Sequence, residues 1–146
     1  MPSLAQLNDA VMAFMGTIWA NLSQYASDPQ RERVSLDDWL RFEDERVIHC
    51  DDAWYDAYVN TIVHGVFSLL DRDRDGWIGQ AEYLDLMMSF WVQPHDALRA
   101  FARVDADGDG RLDRATFVRL VWDFHHSDDP NTPGNWFFGP LDATPQ

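Results

Sequence analysis

Carboxylates are spaced for chemistry in two short stretches of this chain. Residues 71–82 read Asp-Arg-Asp-Arg-Asp-Gly-Trp-Ile-Gly-Gln-Ala-Glu, with side-chain oxygens at the first, third, fifth and twelfth positions. A hard divalent cation of calcium's size takes roughly six to eight oxygens at adaptable distances. Asp71, Asp73, Asp75, the backbone carbonyl of Trp77 and both oxygens of Glu82 supply such a shell. Gly76, at the sixth position, permits the left-handed backbone that turns the loop. Gly79, at the ninth, leaves a place for water. Ile78 is suited to a short strand that pairs neighbouring loops. An acidic turn without a metal role would predict neither the strict alternation nor the terminal Glu.

Residues 105–116 repeat the alternation with Asp105, Asp107 and Asp109, Gly110 at the sixth position, Leu112 at the eighth and an added Asp113 at the ninth. The carbonyl of Arg111 takes the seventh place. Thr116 stands where the closing Glu belongs, and its single neutral oxygen cannot close the shell with two. The expectation is a weaker calcium site, built from Asp105, Asp107, Asp109, Arg111 and Asp113, that discriminates less against Mg2+. The alternative is a loop kept only for packing. A third loop, residues 27–38, is recognisable by Val34, Ser35 and Asp38 at its eighth, ninth and twelfth positions. Pro29, Arg31 and Arg33 stand where ligands are needed, so no calcium is expected there.

Loops of this kind need helices to hold their ends. Ser3 with Gln6 has the form of a capping box ahead of apolar residues at helical spacing, which predicts a helix over residues 4–25. Ser35 caps a second helix through Val47. A third spans about 52–70, a fourth carries Tyr83, Met87 and Phe90, and Pro94 opens a fifth that reaches Val104. A sixth covers 114–126. The Pro- and Gly-rich tail from Ser127 is expected to be extended or turned. Strand signals are nearly absent. The expected fold class is all-α, with helix–loop–helix repeats in one globule: a degenerate hand over 1–50, paired hands over 51–126 and an aromatic tail over 127–146.

The two Asp-rich loops look like EF-hands. With the tail Phe124-His-His-Ser-Asp-Asp-Pro-Asn-Thr-Pro-Gly-Asn-Trp-Phe-Phe-Gly139, the chain resembles the calerythrin and sarcoplasmic calcium-binding protein family of actinobacteria. Members usually have four hands, the second eroded, in a globule that buffers or senses calcium, so the resemblance implies that role here. This sequence departs from the pattern in lacking a recognisable first hand and in Thr116. Relatives of the fold in the coelenterazine-binding and photoprotein group line an inner cavity with aromatic residues. A calcium-stabilised binder of a small organic ligand, or an enzyme derived from one, is therefore the alternative, with Tyr58, His64 and Trp122 as pocket groups.

Composition bounds the rest. The net charge of −14 argues against nucleic acid and anionic membranes as partners, since both would repel this surface. A single Cys50 excludes an internal disulfide framework, and no apolar run of about 18 residues suits a membrane span. A cytoplasmic location is the expectation. Apolar residues make up 46% of the chain, and seven Trp with nine Phe can fill a core. His125 and His126 point about 100° apart on a helix and make a poor metal pair. His49, Cys50 and Asp51 hold the residue types of a thiol catalyst but cannot face one another as sequence neighbours. Val34 has no partner within the chain. A homodimer through the hand at residues 4–47, the aromatic tail or a ligand would cover it.

Overall fold

A computed structural model describes the backbone of residues 4–140 and 142, with the side chains of residues 12, 13, 15–140 and 142. Ser3 and the side chain of Gln6, the expected capping box, lie outside the described residues. The chain divides into two compact units, Met1–Val59 and Asn60–Gln146.

The first unit holds α1 (Leu4–Leu22), which tightens into a 3₁₀ turn over Ser23–Tyr25, and α2 (Leu36–Phe42). Ser35 caps α2: its hydroxyl accepts the Asp38 N–H at 3.1 Å, and Asp38 accepts the Ser35 N–H at 3.0 Å. This reciprocal pair satisfies two donors that a helix start leaves open. The helix then widens into a π-helical turn, Glu43–Ile48. Asp51 caps α3 (Asp52–Tyr55) through the Trp54 N–H at 2.8 Å. Phe42 sits at the middle of this unit's core, 5.5 Å from Tyr25 and 6.1 Å from Tyr58, both edge to face.

The stretch expected as one helix over 52–70 is helical throughout but not uniform. A π-helical turn, Asp56–Asn60, separates α3 from α4 (Thr61–Leu70). Such an insertion leaves the spacing of Tyr55, Tyr58 and Val59 compatible with an ordinary helix, so periodicity does not reveal it.

In the second unit, α4 leads into the first Asp-rich loop, β1 (Trp77–Gly79) and α5 (Gln80–Ser89). Pro94 opens α6 (Pro94–Val104), followed by the second loop, β2 (Arg111–Asp113) and α7 (Arg114–His126). The two strands pair antiparallel with Ile78 opposite Leu112, both buried. Phe67, Tyr83, Met87, Phe101 and Phe117 fill the space beneath them. Arg114 ties α7 to α4, donating to the His64 carbonyl at 3.0 Å and the Ser68 hydroxyl at 3.1 Å.

The tail is more ordered than its Pro and Gly content suggests. A 3₁₀ turn, Pro133–Trp136, lies against α7. Gly134 approaches so closely that a Cβ there would stand 2.6 Å from the Leu120 carbonyl oxygen and collide with the Asp123 Cβ. Phe137 is buried in the core of the second unit.

The expectation that Trp fills the core is corrected. None of the seven Trp is buried, and Trp91 is 81% exposed. Phe and Tyr carry the core instead. The indole offers a flat face and an N–H that suit a partly wet position. Trp122 stacks on His126 at 3.8 Å, and Trp77 lies 4.0 Å beneath the Arg111 guanidinium. Among the described residues, no helix is long and apolar enough to cross a membrane.

Candidate metal centre

Each Asp-rich loop is held by the same ladder of backbone N–H groups. In the first, Gly76 donates to Asp71 Oδ2 at 3.1 Å, Asp75 to Asp73 Oδ1 at 3.2 Å, and Trp77 to Asp75 Oδ1 at 2.8 Å. In the second, Gly110 donates to Asp105 Oδ2 at 2.9 Å, Asp109 to Asp107 Oδ1 at 3.4 Å, and Arg111 to Asp109 Oδ1 at 3.0 Å. The chain turns left-handed at the sixth position of both loops, Gly76 with φ 85° and Gly110 with φ 81°. It does so at the fourth position too, where Gly108 has φ 72° and Arg74 φ 60°. The Gly at the fourth position of the second loop was the available signal for that second left-handed residue.

These bonds leave one oxygen of each first Asp over. Among the described residues, Asp71 Oδ1 and Asp105 Oδ1 are buried and have no hydrogen-bond partner. An unpaired buried carboxylate oxygen is costly in the absence of a compensating charge. One oxygen from each of Asp71, Asp73 and Glu82 lies within 4.8 Å of the others, and the same holds for Asp105, Asp107 and Asp109. An all-oxygen, anionic donor set of this kind fits a hard divalent cation.

The loops differ in how they close. Glu82 reaches back over the first, accepting the Arg72 N–H on Oε1 at 2.9 Å and the Gly79 N–H on Oε2 at 3.1 Å. Asp75 is not in the tight group with Asp71, Asp73 and Glu82. In the second loop, Asp113 caps α7, its Oδ1 accepting the Thr116 N–H at 2.7 Å. That N–H, with the Thr116 hydroxyl, holds the Asp113 carboxyl below its usual range. Asp113 is thus not among the clustered carboxylates, and Arg111 pairs with Asp109 Oδ2 at 3.3 Å. The peptide units of Trp77 and Arg111 begin the two paired strands.

The eroded loop closes on its own groups. Asp38 is 2% exposed, and its carboxylate accepts the Ser27 hydroxyl and, at 3.0 Å each, the N–H groups of Ser27 and Ser35. Arg41 adds a guanidinium contact at 3.0 Å while also donating to the Tyr25 carbonyl at 2.6 Å. The Ser27 hydroxyl, then the Ser27 and Ser35 N–H groups, hold the Asp38 carboxyl well below the usual carboxylate range.

The remaining candidates are engaged separately. His49 Nδ1 lies 2.7 Å from the Asp44 carbonyl oxygen, the Cys50 thiol donates to the Val47 carbonyl at 3.2 Å, and Asp51 caps α3. Burial pushes the Cys50 thiol up, away from reactivity. The Nδ1 atoms of His125 and His126 each lie 2.9 Å from the carbonyl oxygen four residues back. Burial lowers the pKa of His125. Tyr58 belongs to the first unit, where its hydroxyl donates to the Ile18 carbonyl at 3.5 Å, whereas His64 and Trp122 belong to the second.

The EF-hand family model, described as EF hand, matches residues 98–121, the second loop with the adjoining parts of α6 and α7. Calerythrin of Saccharopolyspora erythraea is 24% identical over 110 residues, covering 75% of this chain and 62% of that protein. Calexcitin-1 of Caenorhabditis elegans is 23% identical over 132 residues, covering 88% of this chain and 63% of that protein. The chain therefore spans somewhat less than two thirds of these curated relatives. A solved sarcoplasmic calcium-binding protein from amphioxus matches its fold with a TM-score of 0.67 at 18% identity, over 89% of this chain and 70% of that one. Two loops of the same construction, joined through their two paired strands, and these likenesses make the chain an EF-hand protein similar to calerythrin and the sarcoplasmic calcium-binding proteins.

Proposed function

We propose that the chain binds calcium at both Asp-rich loops and serves as a calcium buffer or sensor. The observation that carries this reading is the pair of buried, partnerless oxygens, Asp71 Oδ1 and Asp105 Oδ1, at equivalent places in two loops where the other oxygen of each first Asp accepts a backbone N–H. Bound calcium would supply the positive charge that lets several carboxylates share one small volume. In the first loop, Asp71, Asp73 and Asp75 present oxygens from the turn, Trp77 its carbonyl, and Glu82 closes from α5. In the second, Asp105, Asp107, Asp109 and the Arg111 carbonyl form the shell, with Asp113 close by.

The second site is the weaker of the two and is shared with magnesium. Thr116 brings no carboxylate, so the shell contracts toward the smaller coordination number that magnesium prefers. The acidic surface and lone Cys50 suit a cytoplasmic setting.

Calorimetry on the intact chain and on Glu82→Gln tests the reading. The expected result is binding at two sites, the tighter in the range of about 10⁻⁷ to 10⁻⁵ M and lost or greatly weakened in the variant. Equal affinity in both proteins would sink the assignment of the first site.

A further inference from the structure

The residue that follows each loop is aromatic: Tyr83 after Glu82, and Phe117 after Thr116. Both face the same side chain of the tail. The Phe137 ring lies 6.1 Å from Tyr83 and 5.0 Å from Phe117, edge to face against each. Phe137 is 2% exposed, and its carbonyl accepts the buried Tyr83 hydroxyl at 2.7 Å. Phe138 continues outward between Phe90 at 5.7 Å and Phe124 at 4.8 Å. Gly134 supplies the close approach to α7, and its carbonyl accepts the Phe137 N–H at 3.0 Å. Aromatic anchors in an apolar groove, with the backbone polar groups satisfied, are how a bound partner segment sits between helices.

We infer that Pro133–Phe138 is a built-in occupant of the groove between the paired hands, and that by bridging Tyr83 and Phe117 it keeps the groove filled when calcium binds. This rests on the calcium reading above and narrows it to a protein that takes up calcium without exposing an apolar surface. In sensor hands, calcium swings the exiting helix away and uncovers a groove. Here the exiting helices are α5 and α7, and Tyr83 and Phe117 lie in their first turns. Such a swing would separate both from Phe137 and break the Tyr83 hydrogen bond inside the core, where an unmet carbonyl is costly. An outside segment would also compete with one tethered to α7 by the short stretch 127–132, whose effective concentration is of order millimolar.

Nile red fluorescence and residue-resolved NMR on the full chain test the inference, a neutral dye being chosen because the net charge of −14 repels anionic ones. The Gly76 and Gly110 amides, each bonded to the first Asp of its loop, report loading of the two loops separately. If neither moves on adding calcium, the calcium reading itself fails. With the loops loaded, the dye signal of the intact chain stays at its calcium-free level. In Phe137→Ala it rises several-fold with calcium, and a synthetic amphipathic Leu/Lys helix then binds. A several-fold rise in the intact chain overturns the inference, as does a folded Phe137→Ala that behaves like the intact chain. If Phe137→Ala loses its helical circular dichroism, Tyr83→Phe decides, because it removes only the hydroxyl. Hydrogen exchange of the Phe137 amide in the calcium form is then expected to quicken about fivefold, the size of one lost buried hydrogen bond. Unchanged exchange overturns the inference.

Discussion

Arg41 donates to Asp38, holding a guanidinium 3.0 Å from the carboxylate that closes the eroded loop. The cation at this hand is a residue of the chain. Because the folded pKa of Asp38 is depressed by the Ser27 hydroxyl and the Ser27 and Ser35 N–H groups, its contribution is present above the unfolded value of 3.8 and is lost as pH falls below it. Acid titration followed by circular dichroism should show the intact chain losing stability below about pH 4, with Asp38→Asn less stable at neutral pH and less sensitive to acid. Identical acid profiles would remove Asp38 from this account.

Ile78 and Leu112 join the two loops across the paired strands, and both side chains are buried. Ile78→Ala should lower stability by about 2–5 kcal/mol, the range for truncating a fully buried aliphatic residue. Urea denaturation measures that loss. Calcium titration of the same variant should show the second loop weakened although no ligand was touched. An unchanged second loop would mean that the loops fold independently.

Thr116→Glu should raise calcium affinity at the second loop several-fold and reduce its tolerance of magnesium, because a carboxylate then replaces a neutral hydroxyl at the closing position. Competition titration with the two ions, read at the Gly110 amide, checks this. A fall in affinity would indicate that Asp113 leaves its place as the α7 cap to close the shell itself.

Gly134→Ala places a methyl group against the Leu120 carbonyl and Asp123. The tail must then shift, at a cost of about 1–3 kcal/mol typical of overpacking. Thermal melts should show the lower midpoint, and exposure of Trp136, whose indole N–H donates to the Pro130 carbonyl at 3.1 Å, should shift its emission to the red.

The two Asp-rich loops were legible because their information is local: alternate Asp, Gly at the sixth position and, in the first, a terminal Glu fall within a dozen residues. The helix limits at Pro94 and Ser35 were local for the same reason. Asp113 shows where local reading stops, since an Asp at the ninth position suits a ligand and a helix cap equally, and only the folded start of α7 shows its bond to the Thr116 N–H. Arg74 is hidden differently, as nothing in its side chain announces a left-handed backbone. The place of Phe137 depends on Tyr83, 54 residues earlier, so no pattern within the tail could specify it. Trp misled for a chemical reason: its size suggests the interior, while its N–H and flat face bring it to cations and carbonyls near the surface.

Phe137 also bears on when the second unit can become stable. Domains made on the ribosome acquire structure from the N-terminal side as they emerge. The helices α5 and α7 that carry Tyr83 and Phe117 precede Phe137 in the chain, so they emerge with that slot vacant and the Tyr83 hydroxyl without the Phe137 carbonyl. A nascent chain halted before residue 137 would hold both Asp-rich loops complete and still lack the wedge between their exiting helices. Phe137 therefore acts as a completion mark for this unit, and products interrupted before it should be the ones that proteases clear first.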